Sequence, residues 1–166
     1  VALSGGVDFR IDHMRFSHLG DTGVKLYAAN VSDSNPANRH PSRGVVDHSE
    51  FHDVYRSTIG NYGYGVAVYG IDAAPNPAVP FGSPEAAFVE DSTFAGCRHA
   101  VASNNAARYV FRYNDVSANS PAPDIDAHGQ EYGSVHGTDW IEVYHNVVHD
   151  PREYFDGSVN IRGGRG

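Results

Sequence analysis

Residues 87–119 read AFVEDSTFAGCRHAVASNNAARYVFRYNDVSAN, and this stretch holds one full repeat and the start of the next. The unit VEDSTF at 89–94 is followed 22 residues later by FRYNDV at 111–116. Each unit has an apolar residue first, a polar residue second, Ser or Asn fourth and an apolar residue sixth. A second apolar unit lies between them at 99–103. Two short strands in a repeat of this length predict one rung of a solenoid.

The same six-residue unit occurs three more times, as IDHMRF at 11–16, VDHSEF at 46–51 and VYHNVV at 143–148. The first residues of the five units (11, 46, 89, 111 and 143) are 35, 43, 22 and 32 residues apart. The shortest spacing predicts the bare rung, and the longer spacings predict loops inserted on the faces of the solenoid. We therefore expect about five rungs.

The fourth position of the unit predicts a column of polar residues where the chain turns. Its members from the second unit onward are Ser49, Ser92, Asn114 and Asn146, and Met14 breaks the column at the first unit. Asn tolerates the left-handed backbone conformation, and its amide can hydrogen-bond to the next rung.

Composition limits the classes of function. The chain of 166 residues fits one domain, and its formal net charge of −8 argues against a nucleic-acid partner, which would require a basic face. No apolar run approaches the roughly 20 residues of a membrane span. The single cysteine, Cys97, excludes an internal disulfide framework, and we expect it to be buried rather than nucleophilic.

The two ends of the sequence suggest a piece of a longer protein. The chain starts with Val-Ala-Leu-Ser-Gly-Gly and ends with Arg-Gly-Gly-Arg-Gly, directly after a strand-like unit. An open solenoid end exposes strand edges. We expect one β-helix domain over residues 1–166, with further rungs of a larger chain as its neighbours.

The five units and the Ser/Asn column resemble the right-handed parallel β-helix of the pectate-lyase-like superfamily, over nearly the whole chain. The segment 97–104 (CRHAVASN) and the later DAHG at 126–129 are also similar to segments of secreted bacterial β-helix proteins of undefined activity. The resemblance implies an all-β fold, a secreted or cell-surface location and a polysaccharide partner. It does not imply a single activity, because the superfamily includes lyases, hydrolases, epimerases, tailspikes and non-catalytic surface proteins. No lyase signature in the sequence is complete enough to assign catalytic residues from the resemblance.

Alignment of the second strands predicts a functional face. The alignment places Val24, Val66, Val101, Ile125 and Val159 at one inward position, although a one-residue shift at Arg98–His99 would reverse the third rung. One outward column is then Lys25, Ala67, Ala102, Asp126 and Asn160. The next outward column is Tyr27, Tyr69, Asn104, His128 and Arg162.

These columns suit an acidic glycan. β-Elimination requires a base for the C5 proton and a cation, either Arg or Ca²⁺, that neutralises the uronate carboxylate. His128 is the candidate base, Arg162 the candidate carboxylate ligand, and Asp126 could orient His128 or bind a metal. Asn160, Asn104, Tyr27, Tyr69 and Lys25 are the candidate substrate-binding residues.

Several alternatives stay open. Asp124 and Asp126 could form an inverting hydrolase pair about 7 Å apart. The tyrosine column could bind sugar rings or simply cover a strand face. His13, His48 and His145 share one repeat position, for which stacking near a turn is favoured over a metal site. The main alternative to a lyase is a non-catalytic adhesin, tailspike stalk or structural module.

Overall fold

A computed structural model describes residues 1–55, 62–72, 79–117, 122–130, 135–149 and 158–162. Sixteen strands carry these residues: β1 (Ala2–Ser4), β2 (Val7–Asp12), β3 (Arg15–Ser17), β4 (Thr22–Tyr27), β5 (Arg43–Asp47), β6 (Glu50–His52), β7 (Tyr64–Tyr69), β8 (Ala87–Glu90), β9 (Thr93–Ala95), β10 (His99–Asn104), β11 (Arg108–Arg112), β12 (Asp115–Ser117), β13 (Ile125–Ala127), β14 (Trp140–Tyr144), β15 (Val147–His149) and β16 (Val159–Ile161). One 3₁₀ helix, Pro36–Asn38, lies in the polar loop between β4 and β5. The described part of the chain contains no α-helix, and therefore no helix long and apolar enough to cross a membrane.

The strands form three parallel sheets. Sheet A has the order β1-β4-β7-β10-β13-β16, sheet B the order β14-β11-β8-β5-β2, and sheet C the order β15-β12-β9-β6-β3. After β1 the chain therefore visits sheets B, C and A in that order five times. We call each such triplet a rung, from rung 1 (β2–β4) to rung 5 (β14–β16). This all-parallel arrangement is compatible with a β-helix.

The register of the sheets confirms the repeat alignment. The first positions of the five units pair in sheet B in the order Ile11, Val46, Val89, Phe111 and Val143. The sixth positions pair in sheet C in the order Phe16, Phe51, Phe94, Val116 and Val148. Like residues consequently stack on like residues. The rings of Phe16, Phe51 and Phe94 lie 4.8 and 4.7 Å apart in the core.

Each rung has three strands instead of the two that the repeat predicted. The six-residue unit contains a corner, because its third residue has a left-handed backbone. The φ angles are 52° at His13, 46° at His48, 48° at Asp91, 57° at Tyr113 and 55° at His145. None of these residues is glycine, so the sequence pattern lacked the usual sign of a left-handed turn.

The Ser/Asn column forms a continuous ladder at this corner. The backbone N–H of each column residue donates to the side chain on the next rung, from Met14 to Ser49 (3.2 Å), Ser49 to Ser92 (3.1 Å), Ser92 to Asn114 (3.0 Å) and Asn114 to Asn146 (3.0 Å). The left-handed corner removes these N–H groups from the sheets, and the side chains satisfy them instead.

Cys97 is fully buried in the main hydrophobic core. Burial raises the pKa of its thiol to about 12, so the thiol is protonated at neutral pH.

Candidate functional site

The outer face of sheet A has the predicted register. Val24, Val66, Val101, Ile125 and Val159 are paired in that order, and so are Lys25, Ala67, Ala102, Asp126 and Asn160. Tyr69 pairs with Asn104 in the second outward column. The backbone N–H groups of His128 and Arg162 continue the ladder onto Ser103 (3.0 Å) and Ala127 (2.9 Å). The one-residue shift of rung 3 is therefore absent.

Of the three residues predicted to carry chemistry, His128 and Arg162 converge on the carboxylate of the third, Asp126. Arg162 donates from Nε to Oδ1 (3.1 Å) and from Nη2 to Oδ2 (2.8 Å), which is the bidentate geometry of a strong ion pair. His128 Nε2 lies 2.9 Å from the same Oδ2. Asp126 is buried, whereas the side chains of His128 and Arg162 retain 18% and 33% of their exposure.

A fourth member, His99, was missed by the sequence analysis. Its Nε2 lies 3.4 Å from Asp126 Oδ2, and its ring stacks on Tyr64 with centroids 5.3 Å apart. Strict alternation from the inward Val101 would turn His99 into the core. Instead, Ala100 and Val101 both lie in the core, and His99 emerges on the outer face beside Asp126.

A signal for this break in strand alternation was present in the sequence. Gly23, Gly65 and Ala100 occupy one register position immediately before the inward valines. A Cβ at Gly65 would lie 2.6 Å from the Phe94 ring. Only a small residue fits against the stacked rings there, and a column of small residues marks the position where alternation breaks.

Burial and charge act in opposite directions at the cluster. Burial alone would raise the pKa of Asp126, but His128, His99 and Arg162 together hold the pKa of that carboxyl below its usual range. Burial lowers the pKa of His99 to about 4, against the opposing effects of the Pro123 carbonyl and of Asp126. At neutral pH the cluster thus contains a carboxylate and a neutral, buried imidazole.

On rungs 1 to 3 the outer face of sheet A is mainly apolar and aromatic. Ala67 and Ala102 are buried under Tyr64, with Tyr69 packed against them. Tyr69 stacks on Tyr27, with ring centroids 5.1 Å apart.

The remaining predicted residues lie on the same face but outside the cluster. Lys25 forms an ion pair with Asp21 at 2.6 Å, and this partner raises its pKa. Asn104 Oδ1 accepts from the backbone of Asn105. Asn160 pairs with Asp126 in sheet A.

The histidine column stacks at the corner. His13 stacks on His48 (5.2 Å between centroids), and Tyr113 stacks on His145 (5.3 Å). His145 is separated from the first pair by two rungs, as the sequence predicted. Within the described residues, only His99, Asp126 and His128 form a three-ligand group.

Comparison with protein-family models, with curated proteins and with solved structures found no match.

Proposed function

We propose that this chain is a right-handed parallel β-helix of a secreted or cell-surface protein that engages an acidic polysaccharide along the outer face of sheet A. The proposal assigns polysaccharide lyase chemistry to rungs 4 and 5 and sugar stacking to Tyr27 and Tyr69. Support for the face comes from its five aligned rungs and its mixed aromatic and charged character. The observation that carries the chemistry is the convergence of His128 and Arg162 on a single buried carboxylate, Asp126.

In the proposed reaction His128 is the base. Asp126 lies 2.9 Å from His128 Nε2 and favours the tautomer that carries its proton there, which leaves the lone pair on Nδ1. Nδ1 takes the C5 proton of a uronate residue, the C4–O bond breaks, and a C4=C5 double bond forms. A proton from solvent restores the leaving hydroxyl. Arg162 is the cation assigned to the uronate carboxylate. The uronate therefore competes with Asp126 for the Arg162 guanidinium.

An ultraviolet assay for unsaturated uronides tests this reaction over a panel of acidic polysaccharides, with and without added Ca²⁺. We expect the wild type to give a rising signal and His128→Ala to abolish it while the circular dichroism spectrum is unchanged. Dependence on Ca²⁺ would assign neutralisation of the uronate to the metal instead of Arg162. His13→Asn, which removes an exposed corner histidine, is the matched control and should retain full activity.

A non-catalytic structural or adhesin module is the second candidate. The observation that favours it is the bidentate Arg162–Asp126 ion pair, which neutralises both side chains within the protein. A signal that stays flat over the whole panel, together with retention of the chain on an immobilised acidic glycan, would support this candidate. Activity retained in full by His128→Ala would remove His128 as the base.

A further inference from the structure

The lone pairs around Asp126 Oδ2 present an unusual arrangement. His99 Nδ1 lies within hydrogen-bond distance of the Pro123 carbonyl oxygen, which can only accept, so Nδ1 carries the ring proton. The neutral His99 ring therefore directs the lone pair of Nε2 towards Oδ2, 3.4 Å away. Among the residues that the structure describes, this Nε2 has no hydrogen-bond partner, and His99 is only 1% exposed. Two lone pairs that face each other in a buried site repel, and a cation bound between them would remove that repulsion.

The spacing of the ligand atoms fits a metal ion. One ligand atom from each of His99, Asp126 and His128 lies within 4.8 Å of the other two. Asp126 Oδ2 is 3.4 Å from His99 Nε2 and 2.9 Å from His128 Nε2. Ligands bound at about 2.1 Å around one tetrahedral or octahedral ion are separated by about 3.0–3.4 Å. Small adjustments of the side chains would therefore place one ion among the three atoms.

We propose that His99, Asp126 and His128 form a binding site for a divalent transition metal of the zinc class. Two imidazoles and one carboxylate are a ligand set that such ions accept, whereas Ca²⁺ prefers oxygen ligands. The hydrogen bond from His99 Nδ1 to a backbone carbonyl is the outer-shell contact that commonly orients a metal-binding histidine. The metal site requires only these three side chains and does not rest on the lyase proposal.

Arg162 opposes the metal. Its partly exposed guanidinium pairs with the buried Asp126 and neutralises the carboxylate that the ion would bind. A bound divalent ion has to weaken or displace this ion pair. Removal of the guanidinium charge should therefore strengthen metal binding, while removal of either histidine should weaken it.

The metal also has a consequence for the proposed base. A metal on His128 Nε2 takes the lone pair of that atom and moves the ring proton to Nδ1. The Nδ1 lone pair is then lost, and the ring can no longer accept the C5 proton. If the lyase proposal holds, Zn²⁺ inhibits the enzyme by occupying this site.

The experiment measures Zn²⁺ binding directly, by competition with a chromophoric chelator, on the full chain at neutral pH. We expect one Zn²⁺ per wild-type chain. His99→Ala and His128→Ala should each weaken binding by at least the roughly 10–100-fold known for loss of an outer-shell partner. Arg162→Gln should tighten binding by roughly tenfold, because it removes one positive charge next to the ion. His13→Asn, which removes one ring of the His13–His48 stack, should leave binding unchanged.

Several results would overturn the site. The first is a wild-type chain that binds no Zn²⁺. The second is binding that is lost in His13→Asn but kept in both His99→Ala and His128→Ala. The third is weaker binding in Arg162→Gln than in the wild type. If His99→Ala unfolds, His128→Ala and Arg162→Gln still give opposite shifts, because both side chains are partly exposed. Lyase activity is not part of the readout, so an inactive protein that binds Zn²⁺ would contradict only the proposed function.

Discussion

At the residue scale, the fold depends on side chains that replace backbone partners at the corner of each rung. Asn114 is one of them. Its Oδ1 accepts from Ser92 N–H (3.0 Å), and its Nδ2 donates to Val89 C=O (3.0 Å) and to Asn146 Oδ1 (3.1 Å). It is only 2% exposed, so water cannot take over these bonds.

Asn114→Leu should lower the free energy of unfolding by about 1–3 kcal/mol, because it leaves the buried N–H of Ser92 without an acceptor. Urea denaturation measures the change. Asn114→Ser is the matched control: serine already fills this position on rungs 2 and 3 and accepts the same type of bond, so its loss should be smaller. Equal losses in the two variants would show that the ladder does not contribute to stability.

A second prediction at this scale concerns pH. Arg10 donates from Nε and Nη2 to the buried carboxylate of Asp47 (3.1 and 2.6 Å), and this contact holds the Asp47 pKa below its ordinary value. A depressed folded-state pKa stabilises the protein above the unfolded-state pKa, and that contribution disappears as the pH falls through the folded-state value. Asp47→Asn should therefore lower the melting temperature at pH 7, and the difference should shrink below the unfolded-state pKa of about 3.9.

The double variant with Arg10→Gln is the control for this ion pair. If Arg10 stabilises the protein through Asp47 alone, adding Arg10→Gln to Asp47→Asn should cause little further loss at pH 7. A melting difference that stays constant from pH 7 to pH 3 would contradict the assigned role of the Asp47 charge.

At the scale of the element, strand alternation and its breaks decide which side chains reach the outer face of sheet A. The sequence predicted the paired strands because apolar residues repeat at fixed positions, and stacked rungs need nothing more to fix their register. It did not predict the third strand of each rung, because a left-handed His, Asp or Tyr leaves no clear local signal. It predicted Asp126, His128 and Arg162 together because they follow β-strand alternation. It missed His99 because alternation breaks next to Ala100.

The small residues before the inward valines provide the test at this scale. A Cβ at Gly65 would lie 2.6 Å from Phe94 Cδ1 and 2.7 Å from the Ala100 carbonyl oxygen. Gly65→Ala should therefore force β7 away from the stacked rings and lower the free energy of unfolding by about 1–3 kcal/mol. Gly6→Ala is the control, because its nearest contact is an ordinary 3.4 Å to Phe9. A loss in Gly65→Ala no larger than that in Gly6→Ala would contradict the close packing of Gly65 against Phe94.

At the scale of the whole molecule, each rung contacts mainly the rungs above and below it. Every pair of strands with extensive contacts joins neighbouring members of one sheet, as β4 and β7 or β8 and β11 do. The stability of such a chain is approximately a sum of rung terms and nearest-neighbour interface terms. The same substitution should consequently have a local effect in rung 5 and a global effect in rung 3.

Val89 and Val143 test this expectation, because they occupy the same repeat position. Val89 is fully buried between Val46 and Phe111 in the middle of sheet B, while Val143 is partly buried on the last strand of that sheet. An aspartate at either position places a charge against the apolar core. We expect Val89→Asp to remove amide hydrogen-exchange protection from all rungs, and Val143→Asp to remove it from β14–β16 while β5–β10 stay protected. Val143→Thr, which keeps the shape without the charge, should change protection far less. Uniform loss of protection in Val143→Asp would show that the chain unfolds as one cooperative unit, and the additive rung description would then be wrong.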